Sequence, residues 1–143
     1  MNSLEISDVS PVMRSVLRDG GTVCMRPKGE SMRRFIRACD EVTLSQVKMP
    51  PKRGRIYLFS RQNGSFVLHR CVGLRSDGLV FRGDNQRKKE YGILPSQLIG
   101  EVVSVKRAGK VIVPGSWRYR FYACTAMPAF YFKTFLKLMR KDG

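Results

Sequence analysis

The sequence predicts a single, mainly β domain of antiparallel strands, with a short N-terminal helix before it and a C-terminal helical tail after it. Short segments rich in β-branched and aromatic residues recur along the chain, and glycine-containing turns separate them at short spacing. The length of 143 residues suits one hydrophobic core. The hydrophobic fraction of 43% is ordinary for a globular chain, so disorder is not indicated.

A short N-terminal helix is predicted within residues 2–19, where apolar positions recur at helical spacing. Ser10 and Pro11 suggest an N-cap followed by a proline at the first helical position. The glycine pair at 20–21 is expected to end the helix and to release the chain into a strand at residues 22–26.

The other strands are predicted from β-rich segments that are bounded by turns. The Asn63-Gly64 dipeptide is a strong hairpin signal, because both residues tolerate positive φ. Residues 83–92 are predicted to be a polar, basic loop. The remaining predicted strands are residues 41–47, 56–59, 65–72, 79–81, 98–105 and 111–113.

A serine, Ser31, follows directly after the glycine-containing turn at 27–30. A serine in this setting either satisfies turn hydrogen bonds or is presented as a nucleophile. Residues 32–38 are predicted to form one or two helical turns. Their N-terminus would let the backbone N–H of Ser31 stabilise an oxyanion.

The chain contains one histidine, His69, inside a predicted strand. Its near-neutral pKa suits it to remove a serine proton, although a lone histidine in a strand is more often a packed or surface residue. Alternation puts His69 on one face with Val67 and Cys71, toward whichever layer holds Ser31. Asp84, in a later turn, supplies a carboxylate that can orient the imidazole.

Four blocks, taken in order, resemble the signal peptidase and LexA-like serine proteases over roughly residues 20–106. In this family the bacterial-type signal peptidases and the LexA-like repressors use a lysine as base. The endoplasmic-reticulum-type signal peptidases carry histidine followed by arginine, as His69-Arg70 does, so the chain is most similar to the Ser-His branch. The blocks are Gly29-Glu30-Ser31-Met32 for the nucleophile, Val67-Leu68-His69-Arg70 for the base, Arg82-Gly83-Asp84-Asn85 for the acid and Leu98-Ile99-Gly100-Glu101-Val102 for the closing strand.

The resemblance implies a coiled antiparallel β fold and a serine endopeptidase that cleaves a peptide or leader sequence after small residues. Ser31 is then the nucleophile and His69 the general base. The third catalytic residue is either Asp84 or Glu90, and the sequence favours Asp84. The flanking residues of the nucleophile block are assigned to the oxyanion and substrate-binding surface; they are Gly29, Glu30 and Met32.

The chain departs from the family pattern at three places. Arg34 stands where a proline is usual, Cys39-Asp40 stands where a Gly-Asp pair is usual, and Gly54-Arg55 replaces a second such pair. Because proline fixes φ, Arg34 leaves the segment after Ser31 freer than usual. An inactive homologue therefore remains an alternative to an active peptidase. Self-cleavage is disfavoured, because only about 20 residues precede the core.

Charge predicts an anionic partner. The chain carries 27 Lys and Arg against 11 Asp and Glu, a formal charge of +16. Nucleic acid, an anionic membrane face or an acidic peptide would suit this field, and a merely solubilising surface is the alternative. No helix-turn-helix pattern occurs, which argues against sequence-specific reading of nucleic acid and disfavours nucleic acid as a partner. A basic module that binds peptide or nucleic acid is the rival function. The basic run at 87–89 is either a solvated loop or a rim that grips an acidic peptide or phosphate.

The cysteines at 24, 39, 71 and 124 form no CxxC pair, so neither a metal site nor a cofactor is expected. Cys24, Cys39 and Cys71 are predicted to be small buried residues. The first 20 residues mix charged and apolar positions, which indicates no secretory signal. A cytoplasmic protein acting on a peptide or precursor-protein substrate is expected; the oligomeric state is left open.

Residues 116–143 crowd aromatic rings together with lysines and arginines, after a predicted β domain over residues 1–115. A helical tail interrupted at Pro128 is expected, and it should not span a bilayer. Two interpretations remain open: the tail packs on the β domain, or it lies peripherally on an anionic membrane surface.

Overall fold

The computed structural model describes residues 6–33 and 35–113, which form one α-helix, one short 3₁₀ helix at Pro95–Gln97 and an eight-stranded antiparallel sheet. The predicted mainly β class with a short N-terminal helix is confirmed. The predicted tail and the boundary at residue 115 lie outside the described residues. The elements are α1 (Ile6–Arg18), β1 (Val23–Met25), β2 (Glu41–Ser45), β3 (Ile56–Ser60), β4 (Phe66–Arg75), β5 (Gly78–Arg82), β6 (Glu90–Ile93), β7 (Leu98–Arg107) and β8 (Lys110–Ile112).

The sheet runs in the order β1-β2-β7-β3-β4-β5-β6, with β8 paired to β7. The strand β7 therefore lies between β2 and β3. Its Lys106 pairs with Glu41 of β2, and its Glu101 pairs with Tyr57 of β3. A strand from late in the sequence thus joins the β1–β2 unit to the β3–β6 unit.

Hydrophobic residues pack on both faces of the sheet, in two clusters. The strand β3 contributes side chains to both clusters. Ile56 and Leu58 pack in the larger cluster, whereas Tyr57 and Phe59 pack in the smaller one. Register shifts in β2, β3, β4 and β5 interrupt the ladders, and such bulges bend and twist strands. Two buried layers on one bent sheet are the result.

The helix α1 differs from the prediction at its start and agrees at its end. It begins at Ile6, so Pro11 lies inside the helix instead of at its first position. Gly20, at φ +84°, ends it, and the N–H of Gly21 donates to the Val16 carbonyl at 2.9 Å. Leu17 is buried in the larger cluster, against Gly100, where a Cβ would lie 3.1 Å from the Leu17 Cδ1.

Two further expectations are wrong. The segment 83–92 is not wholly a loop, because its last residues open the edge strand β6. Cys24 and Cys39 are exposed, and only Cys71 of the three described cysteines is buried. On β1 the neighbours of Cys24, Val23 and Met25, pack against the larger cluster, so alternation turns Cys24 outward.

Within the part of the chain that the structure describes, no helix has the length and apolar character needed to cross a bilayer.

Candidate active site

Ser31 lies in the connection between β1 and β2, in a series of turns. The N–H of Arg33 donates to the Glu30 carbonyl at 3.0 Å, and the N–H of Ile36 donates to the Met32 carbonyl at 2.7 Å. The Ile36 bond closes a single helical turn, the shorter of the two predicted forms. The described residues of this segment form no regular helix, so the Ser31 N–H does not lie at the N-terminus of one. Gly29 enters the turn at φ +88°, which glycine adopts without steric cost.

The turn after β5 holds the Ser31 turn in place. The N–H of Asn85 donates to the Ser31 carbonyl at 2.7 Å, and the Asn85 side-chain amide donates to the Glu30 carbonyl at 3.2 Å. The N–H of Asp84 lies 3.3 Å from the Met32 sulfur. The block that resembled an acid motif therefore positions the candidate nucleophile through its backbone.

Gly83 permits this close approach. A Cβ at this position would lie 2.7 Å from the Ser31 carbonyl oxygen, 2.9 Å from the Gln86 Oε1 and 3.1 Å from the Ser31 Cβ. A backbone oxygen cannot move aside as a flexible side-chain end can. Only glycine lets the two turns meet at this distance.

Gly83→Ala is expected to destabilise the fold by about 1–3 kcal/mol, because overpacking forces the backbone to shift. It should also slow any reaction of Ser31. Urea unfolding measures the first effect. Gly73→Ala is the matched control, since its Cβ would lie 3.4 Å from the Val80 Cβ, an ordinary contact. Equal stability of the two variants would contradict the packing argument.

Asp40 fastens the other end of the Ser31 connection to β7. Arg107 donates to both carboxylate oxygens, at 2.8 and 2.6 Å, and the N–H of Arg37 donates at 2.8 Å. Burial raises the pKa of Asp40, but the hydrogen bonds from Arg107 and Arg37 outweigh it and hold that pKa below its ordinary value. The charged carboxylate thus anchors the connection.

His69 is buried on β4, with its side chain 3% exposed. Its Nδ1 lies 3.2 Å from Oε1 of Glu90, although the two atoms are not aligned for a hydrogen bond. The Phe59 ring meets the imidazole edge-on, with the centroids 6.1 Å apart. Val67 and Cys71 pack in the smaller cluster, so the predicted alternation of β4 is confirmed.

Arg61 holds Glu90 against the imidazole. Its Nε donates to Oε2 at 2.9 Å and its Nη2 donates to Oε1 at 2.6 Å. These hydrogen bonds are the largest cause that lowers the pKa of Glu90 below its ordinary value, and burial acts in the opposite direction. Glu90 is therefore a charged carboxylate beside His69.

The preference for Asp84 as the carboxylate on the imidazole is wrong. Both Asp84 oxygens accept hydrogen bonds from Arg70, at 2.8 Å from Nε and 2.7 Å from Nη2. Both side chains are 2% exposed. Asp84 is thus committed to a buried ion pair, and Glu90 is the carboxylate in contact with His69.

Ser31 and His69 line the same cavity, of about 240 Å³. Gly29 and Met32 also line it, whereas Glu30 is not among the lining residues and pairs with Arg33 at 3.1 Å. The remaining lining residues are Pro27, Lys28, Ile36, Arg61, Phe66, Val67, Leu68 and Gln86.

Arg61 was not predicted as a site residue. It follows β3 in the Asn-Gly hairpin, where its N–H donates to the Ser65 carbonyl at 2.8 Å. The hairpin register pairs Tyr57 with His69 and Phe59 with Val67, so alternation places residue 61 on the face of His69. The hairpin signal in the sequence was sufficient to find this residue.

Comparisons with known proteins add no assignment. No protein-family model matches the chain, and neither a curated protein nor a solved structure matches it significantly. The chemistry of the site is therefore argued from its residues and their geometry.

Proposed function

We propose that this chain is a serine endopeptidase of the signal-peptidase type, with Ser31 as nucleophile and His69 as general base. One observation carries the proposal: Ser31 and the single histidine of the chain line one cavity, and a charged carboxylate backs the histidine. A nucleophile, a base and a third group beside the base form the usual arrangement of a serine hydrolase.

In the proposed mechanism the Ser31 hydroxyl attacks the carbonyl carbon of the scissile peptide bond. His69 takes the hydroxyl proton at Nε2, because Nδ1 faces Glu90, and passes it to the departing amine. Water then attacks the resulting ester, again with His69 as base, which releases the carboxylic acid and restores Ser31. Glu90 stabilises the transient imidazolium by its charge.

The cavity has room for the short side chain that the sequence resemblance implies next to the scissile bond. Its volume is about 240 Å³. Buried Met32 and Ile36 give it an apolar wall against which an alanine-like group can pack.

Labelling with a fluorophosphonate probe tests the proposal. The parent chain should label, and Ser31→Ala should not. Ser45→Ala is the control, because Ser45 lies on β2 outside the cavity lining and should label as the parent does. Equal labelling of the parent and Ser31→Ala would remove the proposal.

The pH dependence of labelling should report His69. Burial is the largest cause that lowers its pKa below 6.5; Arg61 lowers it further, and Glu90 and Asp84 raise it only in part. The neutral imidazole is the base, so the rate should rise with pH through a midpoint below 6.5 and be flat above about pH 7. A rate that still climbs between about pH 8 and about pH 9 would contradict His69 as the base.

A further inference from the structure

A second cavity adjoins the one that holds Ser31 and His69. Its volume is about 610 Å³, and its lining consists of Arg61, Gln86, Arg87, Lys88 and Glu90. Arg61 and Gln86 line both cavities, so the two spaces adjoin at these residues. A chain that occupies the first cavity can extend into the second.

The combined lining has an excess of positive charge. It contains four cations, Lys28, Arg61, Arg87 and Lys88, against one carboxylate, Glu90. Lys28 and Lys88 take part in no ion pair among residues 6–33 and 35–113. Their charges are therefore available to a ligand.

Glu90 does not cancel this attraction. Arg61 binds both of its oxygens, and the same carboxylate contacts His69. Its charge is thus paired with Arg61 through two hydrogen bonds. An incoming anion would meet Lys88 and a carboxylate that is already paired.

We infer that the second cavity is a subsite for an acidic side chain of the peptide substrate, an inference that rests on the proposed peptidase function. Because the two cavities share Arg61 and Gln86, the acidic side chain should lie close to the scissile bond in the peptide. Among residues 6–33 and 35–113, the lining of the second cavity contains no aromatic ring on which a nucleic-acid base could stack, which favours a peptide carboxylate.

Peptide binding to the full-length Ser31→Ala variant tests this inference without cleavage. The probes are two fluorescein-labelled alanine peptides of equal length, one with glutamates and one with glutamines at the same positions. The glutamate peptide should bind about fivefold more tightly at about 0.15 M salt. Lys88→Glu should abolish the preference. Lys110→Glu changes the net charge by the same amount, but Lys110 lies on β8 outside both cavities. This variant should keep the preference for the glutamate peptide.

Equal affinity for the two peptides overturns the inference. An equal loss in Lys88→Glu and Lys110→Glu overturns it as well, because a diffuse field and not the cavity would then attract the peptide. A DNA oligonucleotide that binds more tightly than the glutamate peptide, with the same sensitivity to Lys88→Glu, would assign the cavity to nucleic acid. The peptidase proposal would fail by a different result, namely equal fluorophosphonate labelling of the parent and of Ser31→Ala.

Discussion

Asp84→Asn is expected to lower the free energy of unfolding by about 3–5 kcal/mol, because it removes one charge of a buried ion pair. Arg70 would keep its positive charge at 1% exposure, without the negative charge that now lies against its Nε and Nη2. Urea unfolding followed by circular dichroism measures the loss. For this single domain it would appear as a lower midpoint with an unchanged slope.

Asp77→Asn is the matched control for this prediction. Asp77 pairs with Arg75 at 3.4 Å, but both side chains are more than half exposed, so the change should cost less than about 1 kcal/mol. The double variant Arg70→Met with Asp84→Leu should recover much of the stability, since apolar residues can replace a buried pair. If Asp84→Asn and Asp77→Asn cost the same, the Arg70–Asp84 pair is not a determinant of the fold.

Glu90→Gln is expected to slow Ser31-dependent peptide cleavage or labelling by about 10²-fold to 10⁴-fold, as loss of the orienting carboxylate does in serine proteases. Glutamine keeps the shape of Glu90 but removes the charge that stabilises the imidazolium. The fold should survive, because the side chain of Arg61, the partner of Glu90, is 40% exposed. Loss of this ion pair should lower the free energy of unfolding by about 1 kcal/mol or less. The measurement is the rate of fluorophosphonate labelling above about pH 7, where the rate should no longer change with pH.

Glu30→Gln is the control for Glu90→Gln. Glu30 stands next to Ser31 in sequence, yet its carboxylate pairs with Arg33 at the surface and does not line the cavity. Its loss should leave the labelling rate nearly unchanged. Parent-like rates in both variants would show that Glu90 does not assist His69.

The choice between the two carboxylates illustrates what local sequence patterns can and cannot predict. Glu90 lies in a basic, polar segment whose composition is typical of a loop. In the structure it is the first residue of the edge strand β6 and pairs with Phe81 of β5. An edge strand with one exposed side needs few apolar residues, so periodicity does not reveal it. Asp84 was favoured as the acid of the Gly83-Asp84-Asn85 turn, but its partner Arg70 lies on β4, and a local pattern does not show that pairing.

The segment after Ser31 was only partly predictable for a related reason. Its composition permits helical turns and one forms, between Met32 and Ile36, but other contacts that shape the segment come from distant residues: Asn85 from the turn after β5 and Arg107 from β7. Tertiary hydrogen bonds of this kind limit a weak helical preference. By contrast, the Asn63-Gly64 hairpin and the burial of Val42 and Leu44 on β2 were predictable, because turn chemistry and alternation are local.

The central place of β7 has a consequence for the order in which the protein matures. Ser31 belongs to the β1–β2 unit and His69 to the β3–β6 unit, and β7 is the strand that pairs with both. During synthesis, both residues leave the ribosome before β7 does. The proposed nucleophile and the proposed base therefore lack their common support until Leu98–Arg107 has been made and has inserted between β2 and β3. Any hydrolytic activity would be withheld from the nascent chain and would begin only when the sheet closes.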